Sequence, residues 1–524
     1  MHNLINVALD VPINKLYDYA CNTPGIKIGC RVKVQFGKSL RIGIVIGFNK
    51  NKGLTDKYQI KEIIEVIDKE PLLTKEIIKT CKWASAYYHH PIGQVVFTAI
   101  TPIHRKGKSE PKKNMEIQNC IPEKKLKLNK EQNNIVENIF RDINTYKVNV
   151  IRGVTGSGKT EVYAKIVQKL FEHDAQVLIM VPEINLIPQT ISRFKKYLDI
   201  EPIEYHSNLT PAQKCRVWKL CKNKKKLLII GTRSSVFLPF INLKLLGVDE
   251  EHDYSYKQNE MFRYNARDIG ILRSKNFNCP VILGSATPSF ETIHNIVTHK
   301  YKQYEMNNRY FKSKLPLISI VDTSIDKPDE GISKTLKDNM KKELNNNKKV
   351  ILFIGRRGFS NTVICSECKS IIKCPKCDVY MTYHKSIERL ICHQCEFKQS
   401  FKEIKECCQN PTLVTLGVGT QRLENKIKKI FPSKRVMRVD SDNISSKKDL
   451  NDFIIKANND EIDIFIGTQM IVKGHDFNNV SLVGIINIDA GLYSTDFRGL
   501  EKTAQLITQV AGRSGRQEEQ GQVI

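Results

Sequence analysis

The chain has 524 residues, 41% hydrophobic and 26% charged, which is the balance of a globular protein long enough for several domains. Lys and Arg total 83 against 55 Asp and Glu, a formal net charge of +28; this points to a polyanionic partner, nucleic acid first, with lysine-rich usage across a basic proteome as the competing explanation. No apolar run approaches the roughly 18 residues of a membrane span, and Met1-His2-Asn3-Leu4 opens no signal peptide, so no membrane partner is expected and the expected compartment is the cytoplasm.

Residues 1–103 alternate apolar and polar with frequent Gly and Pro, as in Val32-Lys33-Val34-Gln35-Phe36-Gly37, and predict a small β-rich domain. A helix is predicted over 72–90. Residues 104–127 are basic, poor in large apolar side chains and carry Pro111 and Pro122, which predicts a linker. From 128 onwards helical patterns alternate with Val/Ile/Leu runs such as Val177-Leu178-Ile179-Met180-Val181 and Val281-Ile282-Leu283, the pattern of a parallel α/β sheet. A second series follows, with Val350-Ile351-Leu352-Phe353 and Ile464-Phe465-Ile466. The expected architecture is two α/β lobes, 128–310 and 311–524, with a cysteine-rich module at 362–412 interrupting the second.

Gly153-Val154-Thr155-Gly156-Ser157-Gly158-Lys159-Thr160 satisfies the phosphate-loop pattern, follows the strand Val148–Ile151 and opens a helix. Its glycines let backbone N–H groups face phosphates at a helix N-terminus, Lys159 is placed to reach the β/γ-phosphates, and Thr160 to ligate Mg²⁺. Asp249-Glu250-Glu251-His252 follows an apolar strand. Asp249 is the expected metal-binding acid and Glu250 the acid that polarises the attacking water; alone the run would read as an ordinary acidic turn. Gly284-Ser285-Ala286-Thr287-Pro288 puts small hydroxyl residues at a strand end. Arg513 and Arg516 in Gln509–Arg516 share one helical face and suit a developing phosphate charge, with a solvated basic turn as the alternative. The segment Tyr254–Tyr264 mixes aromatics with Lys257 and Arg263, for base stacking or for core packing.

Eight of the fifteen cysteines fall between Cys365 and Cys408. Cys365-x2-Cys368, Cys374-x2-Cys377 and Cys392-x2-Cys395 are knuckles whose paired thiolates reach one tetrahedral Zn²⁺, so the cluster reads as structural metal ligation rather than disulfides.

The ordered set resembles the superfamily 2 helicases and, more closely, the bacterial primosomal protein N′ (PriA) family of replication-restart helicases. The likeness runs from Tyr17-Asp18-Tyr19 and Val34-Gln35-Phe36-Gly37-Lys38 through Gly231-Thr232-Arg233-Ser234, Arg356-Arg357-Gly358-Phe359 and Gly467-Thr468-Gln469-Met470 to the 509–516 block. It implies two RecA-like lobes and ATP- and Mg²⁺-dependent 3′→5′ unwinding of forked and single-stranded DNA at stalled forks in the nucleoid. The implied protein partners are single-stranded-DNA-binding protein, other primosome proteins and the replicative helicase. It also implies a pocket for a DNA 3′ end near Asp18, Gly37 and Lys38, and Gln132 as the residue that reads adenine. Of two zinc ions, one falls to Cys374, Cys377, Cys392 and Cys395. The other falls to Cys365, Cys368 and Cys408 with Cys407, where this chain departs from the family's fourth pair; His384 and His393 are substitute ligands. The family's winged-helix domain has no room in the 104–127 stretch, and the chain stops at Ile524 where the family continues. A DNA-stimulated ATPase that remodels without unwinding, and a truncated DNA-binding scaffold, are the alternatives.

Overall fold

The computed structural model describes residues 3–49, 60–111, 115, 119–154, 156–306, 316–355, 362–365, 367–368, 370–377, 380–384, 389–392, 395–400, 413–416, 420–439, 447–468, 479–489, 496–515 and 520–524. They form two units, residues 1–153 with 158–306, and 307–524 with 154–157.

The first unit begins with β1 (Asn3–Leu9), β2 (Tyr17–Cys21), β3 (Arg31–Phe36), β4 (Ser39–Phe48) and β5 (Glu65–Val66), an antiparallel sheet in the order β2-β1-β4-β3-β5. Alternation decides which face is buried: Val32 and Val34 are fully buried while Lys33 between them is not. Three helices follow, α1 (Lys75–Tyr87), α2 (Ile92–Thr98) and α3 (Pro102–Arg105). The Thr74 hydroxyl accepts from the Ile77 N–H and caps α1. The single helix predicted over 72–90 is therefore α1, and α2 and α3 are additional.

The basic stretch from His104 is docked at several of its described positions. His104 is fully buried, the Cys120 N–H donates to Asp199 O at 2.7 Å, and the Lys124 N–H donates to Lys196 O at 3.0 Å. Its few apolar side chains concealed this, because backbone bonds, a buried histidine, Arg31 on Lys108 O and the Lys219–Glu110 ion pair do the holding.

Next come α4 (Lys130–Arg141), β6 (Val148–Gly153), α5 (Lys159–Leu170), β7 (Gln176–Met180), α6 (Ile187–Lys195), β8 (Ile203–Tyr205), α7 (Pro211–Asn223), β9 (Leu227–Gly231), β10 (Leu243–Asp249), α8 (Ala266–Phe277), β11 (Val281–Ser285), α9 (Phe290–Val297) and β12 (Lys302–Met306). The strands form a seven-stranded parallel sheet, β12-β6-β11-β10-β7-β9-β8. Every residue of β7, β9 and β11 is buried, as continuous apolar runs covered on both faces require.

The N-terminal sheet domain and this lobe share one apolar core, joining Ile77, Cys81 and Ala84 to Phe240, Leu243 and Ile269. At its centre the buried Arg273 of α8 grips the Glu76 carboxylate of α1 through Nη2 at 2.6 Å and Nε at 3.1 Å, and Nη1 donates to Val236 O and Leu238 O. The aromatic segment after the acidic motif is mortar in the same joint. Tyr256, Phe262 and Tyr264 are buried; Phe262 packs edge-on to Tyr88 and stacks on His90. Of the two uses open to these aromatics, packing holds for those three.

The second unit contains β13 (Leu317–Ile318), α10 (Lys334–Asn345), β14 (Lys349–Ile354), β15 (Thr362–Cys365), β16 (Thr382–His384), β17 (Arg389–Ile391), β18 (Lys398–Ser400), β19 (Leu413–Leu416), α11 (Thr420–Ile430), β20 (Val436–Val439), α12 (Lys447–Asn458), β21 (Ile464–Gly467), β22 (Val480–Ile486), α13 (Gly499–Ala511) and β23 (Gln522–Val523). Six strands make a second parallel sheet, β13-β23-β22-β14-β21-β20. The cysteine-rich insert is a small antiparallel sheet, β18-β17-β16-β15-β19. The expected architecture of two parallel lobes, a β-rich N-terminal domain and a ribbon inserted in the second lobe is the one found.

Removing one partner of a buried ion pair strands the other. Arg273→Ala should cost about 3–5 kcal/mol in denaturant unfolding, whereas replacing Arg273 and Glu76 together by apolar residues should cost less. Equal losses would mean that the pair does not hold the joint.

Candidate nucleotide site and cysteine cluster

Because the first lobe's strands run parallel in register, its motifs emerge together. Asp249 pairs with Gly284, Ser285 with Arg152, and Gly153 with Met306. The phosphate-loop start, the acidic motif and the Gly284–Pro288 motif therefore share the carboxyl edge, where open α/β sheets bind ligands.

Gly156 and Gly158 stand at φ +82° and +86°, a conformation that side chains disfavour. Gly158 is also the N-cap of α5, with no side-chain cap bond. Its helix therefore presents first-turn N–H groups of the kind that bind phosphate. Lys159 Nζ donates to Gly153 O at 2.9 Å, which folds the lysine back over the loop. Thr155 lies outside the described residues. Gln132 is buried beneath the loop. Its Oε1 accepts from the Asn129 N–H at 3.0 Å in the α4 capping box, and its Nε2 reaches Gly158 O at 3.5 Å. Gln132 thus braces the phosphate loop, a role its sequence context did not predict.

Asp249 ends β10. Its backbone carbonyl accepts from the Tyr256 hydroxyl at 2.6 Å, and its Oδ1 lies 3.4 Å from the Tyr163 hydroxyl. Glu250 follows at φ +46°, a strained value for a glutamate, and its buried Oε2 has no hydrogen-bond partner among the described residues. That oxygen is 3.7 Å from His252 Nδ1. His252 Nδ1 in turn meets Ser285 Oγ at 2.7 Å, and Ser285 Oγ accepts from the Thr287 N–H at 2.9 Å. The acidic motif and the small hydroxyl motif are thereby one bonded unit. Glu251, which sequence reasoning left without a task, is the buried hub behind them. It accepts from Ser289 N, Thr292 Oγ1 and Arg267 Nη1 at 2.8, 3.0 and 2.8 Å. Two adjacent carboxylates at the strand end beside a lysine are a donor set that fits a hydrated Mg²⁺ carried by a nucleotide.

Burial, and then the Glu250 charge, push the Asp249 carboxyl up to about 6, against the pull of Lys159 and Arg193. An acid whose pKa is raised in the fold stays protonated there after the unfolded chain has ionised. Stability is therefore lost as pH climbs from the ordinary Asp value to about 6, with no further loss above. Without metal, Asp249→Asn should raise the melting temperature at about pH 7.5 and change little near about pH 4. A gain that is the same at both would show that Asp249 is not under this strain.

In the N-terminal domain Asp18 Oδ1 accepts from Asn6 Nδ2 at 2.6 Å and from Asn49 Nδ2 at 3.4 Å. Gly37 and Lys38 form the turn between β3 and β4, and Tyr17, next to Asp18, packs edge-on to Phe36 at the foot of that turn. In the second unit Arg513 follows α13, its N–H donating to Val510 O. Arg516 lies outside the described residues, as do Arg356–Phe359, Gln469–Met470 and Gly417–Gly419.

Cys374, Cys377, Cys392 and Cys395 bring four sulfurs within 4.8 Å of one another, and Cys374 Sγ is 3.6 Å from Cys395 Sγ. Four ligands at about 2.3 Å from zinc form a tetrahedron with edges of about 3.8 Å, so the set fits zinc. Cys365 is buried and Cys368 exposed; Cys407, Cys408 and His393, and the side chain of His384, are outside the described residues. Cys392→Ser should cost one equivalent of bound zinc by elemental analysis, and an unchanged zinc content would remove this site.

Family models match in three places: residues 6–101 match the 3′DNA-binding domain (3′BD), residues 129–296 the DEAD/DEAH box helicase, and residues 374–399 the PriA DNA helicase Cys-rich region (CRR) domain. The replication restart protein PriA of Haemophilus influenzae is 34% identical over 595 residues, covering 99% of this chain and 81% of that protein. The protein of the same name from Rickettsia prowazekii is 38% identical over 524 residues, covering 98% of this chain and 79% of its own.

Proposed function

The chain belongs to the family of replication restart proteins PriA, and from that membership we propose the following account of its activity and its residues. It is an ATP-dependent DNA helicase that works in replication restart, using nucleotide with Mg²⁺ and carrying a structural zinc ribbon. The observation that supports this reading is the shared carboxyl edge, which brings Asp249 and Glu250 to the start of the phosphate loop, with Lys159 close enough for its charge to act on Asp249.

In the proposed chemistry, the backbone of Gly153, Val154, Thr155, Gly156, Ser157 and Gly158 cradles the phosphates. Lys159 neutralises the β/γ-phosphates, and Thr160 and Asp249 hold the metal. The strained, unsatisfied Glu250 orients the attacking water, and Arg513 and Arg516 stabilise charge on the transferring phosphate. Gln132, while bracing the loop, reads adenine. When bound, Mg²⁺ supplies charge neutralisation between the phosphates.

Residues 1–103 are assigned as the DNA 3′-end domain, with Asp18, Gly37 and Lys38 at the terminal nucleotide, and 104–127 as the connection to the motor lobes at 128–310 and 311–524. Translocation runs 3′→5′ on strands of stalled forks in the nucleoid. Single-stranded-DNA-binding protein, other primosome proteins and the replicative helicase are the proposed protein partners. A second zinc is assigned to Cys365, Cys368, Cys408 and Cys407 within 362–412. The basic charge of +28 suits sequence-independent tracking of phosphates.

Lys159→Ala should lower DNA-stimulated ATP hydrolysis by at least about a hundredfold and leave DNA binding nearly intact; normal hydrolysis would refute the nucleotide site. A fork with a free 3′-OH should bind more tightly than one with a blocked end, and equal affinities would remove the 3′-end assignment. Two zinc ions per chain, one of them lost in Cys365→Ser, would support the second site; a ratio near one would dismiss it.

A further inference from the structure

We propose that Tyr163 is a positioning residue whose hydroxyl orients the Asp249 carboxylate toward the magnesium ion of the bound nucleotide. The inference rests on the reading of Asp249 as the metal-binding acid and adds a residue to it.

Tyr163 lies on α5, one turn beyond Lys159, on the face buried against the sheet with Val162, Ile166 and Val167. Its ring fills core space that phenylalanine would fill with less desolvation, so the hydroxyl calls for a partner. Among the described residues that partner is Asp249 Oδ1, at 3.4 Å.

The neighbouring strand is shaped around this contact. Asp249 of β10 stands opposite Gly284 of β11 in parallel register. A Cβ on Gly284 would lie 1.7 Å from the Tyr163 hydroxyl oxygen and 3.1 Å from its Cζ. The missing side chain on β11 therefore leaves the slot that the hydroxyl occupies. Any larger residue at 284 would drive the tyrosine away from the acid.

The arrangement fixes the one freedom that Asp249 retains. Its main chain is held by the Tyr256 hydroxyl on its carbonyl, and its carboxylate also takes the Glu250 N–H, so the Tyr163 hydroxyl is a second, side-chain brake on rotation of the carboxylate. A phenol donates one hydrogen. With that hydrogen given to Oδ1 and the Glu250 backbone N–H also on the carboxylate, the remaining lone pairs are left for the metal. At 3.4 Å the bond is long, as catalytic contacts often are before the ligand arrives.

The test compares the full chain with Tyr163→Phe by titrating a fluorescent ADP, first with EDTA and then across Mg²⁺ concentrations, alongside kcat and KM for ATP. Binding in EDTA should be unchanged. The Mg²⁺ concentration giving half of the metal-dependent tightening should rise roughly tenfold, as for loss of a hydrogen bond to a charged group. kcat should fall at low Mg²⁺ and recover at high Mg²⁺. Gly284→Ala should give the same Mg²⁺ shift, and the double variant no larger one. Weaker binding in EDTA would mean a merely structural tyrosine and overturn the proposal. An unchanged Mg²⁺ dependence in Tyr163→Phe, where Asp249→Asn loses it, would overturn the proposal alone; an unchanged dependence in both variants would also overturn the reading of Asp249.

Discussion

The parallel register of the first lobe's sheet is the constraint on which the site depends. Strands that run the same way and start level also end level, so Gly153, Asp249 and Ser285 emerge on one edge although many residues separate them in the chain. Hydrogen bonds then lock what the register has assembled. His252 joins the acidic motif to Ser285, Glu251 ties the same motif to Ser289 and Thr292, and Gln132 braces the phosphate loop from below. The two acidic residues and the start of the phosphate loop are thus held at one edge before any ligand binds, the kind of preorganisation that phosphoryl transfer rewards.

The N-terminal domain is fastened to the motor lobe by chemistry of a different kind. Arg273 and Glu76 form a buried, multiply bonded pair inside an apolar core shared by the two parts, and Tyr88 and His90 close over Phe262. Phe262 belongs to the segment that leaves the acidic motif, and Tyr256 in that segment bonds Asp249 O. The N-terminal domain and the first lobe therefore form one compact unit, and the segment that leaves the acidic motif ends in the core they share.

What the sequence discloses follows from how local each feature is. The phosphate loop is contiguous, and its glycines and lysine have one dominant use after a strand and before a helix. The four sulfurs that meet at 374–395 lie in two knuckles close in sequence. Apolar runs of three to five residues marked the strands of both lobes. The features that stayed hidden depend on register or packing. That Glu251 is a buried hub requires knowing where Ser289 and Arg267 return to the edge. That Gly284 is a slot for Tyr163 requires the pairing of β10 with β11. The stretch 104–127 reads as a linker by composition, and the backbone bonds that hold Cys120 and Lys124 leave no mark in residue type. The aromatic segment read equally as a base-stacking surface or as core, and burial of Tyr256, Phe262 and Tyr264 decided it for those three.

The edge formed by Lys159, Asp249 and Glu250 is proposed to drive a helicase and not merely to be a nucleotide-binding relic. Strand displacement from a labelled fork by the wild-type chain and by Glu250→Gln tests this most directly. The predicted result is ATP-dependent displacement by the wild type, and none by the variant even though it still binds ATP and the fork. Displacement that persists in Glu250→Gln, or a wild-type chain that hydrolyses ATP on the fork without separating its strands, would contradict the account.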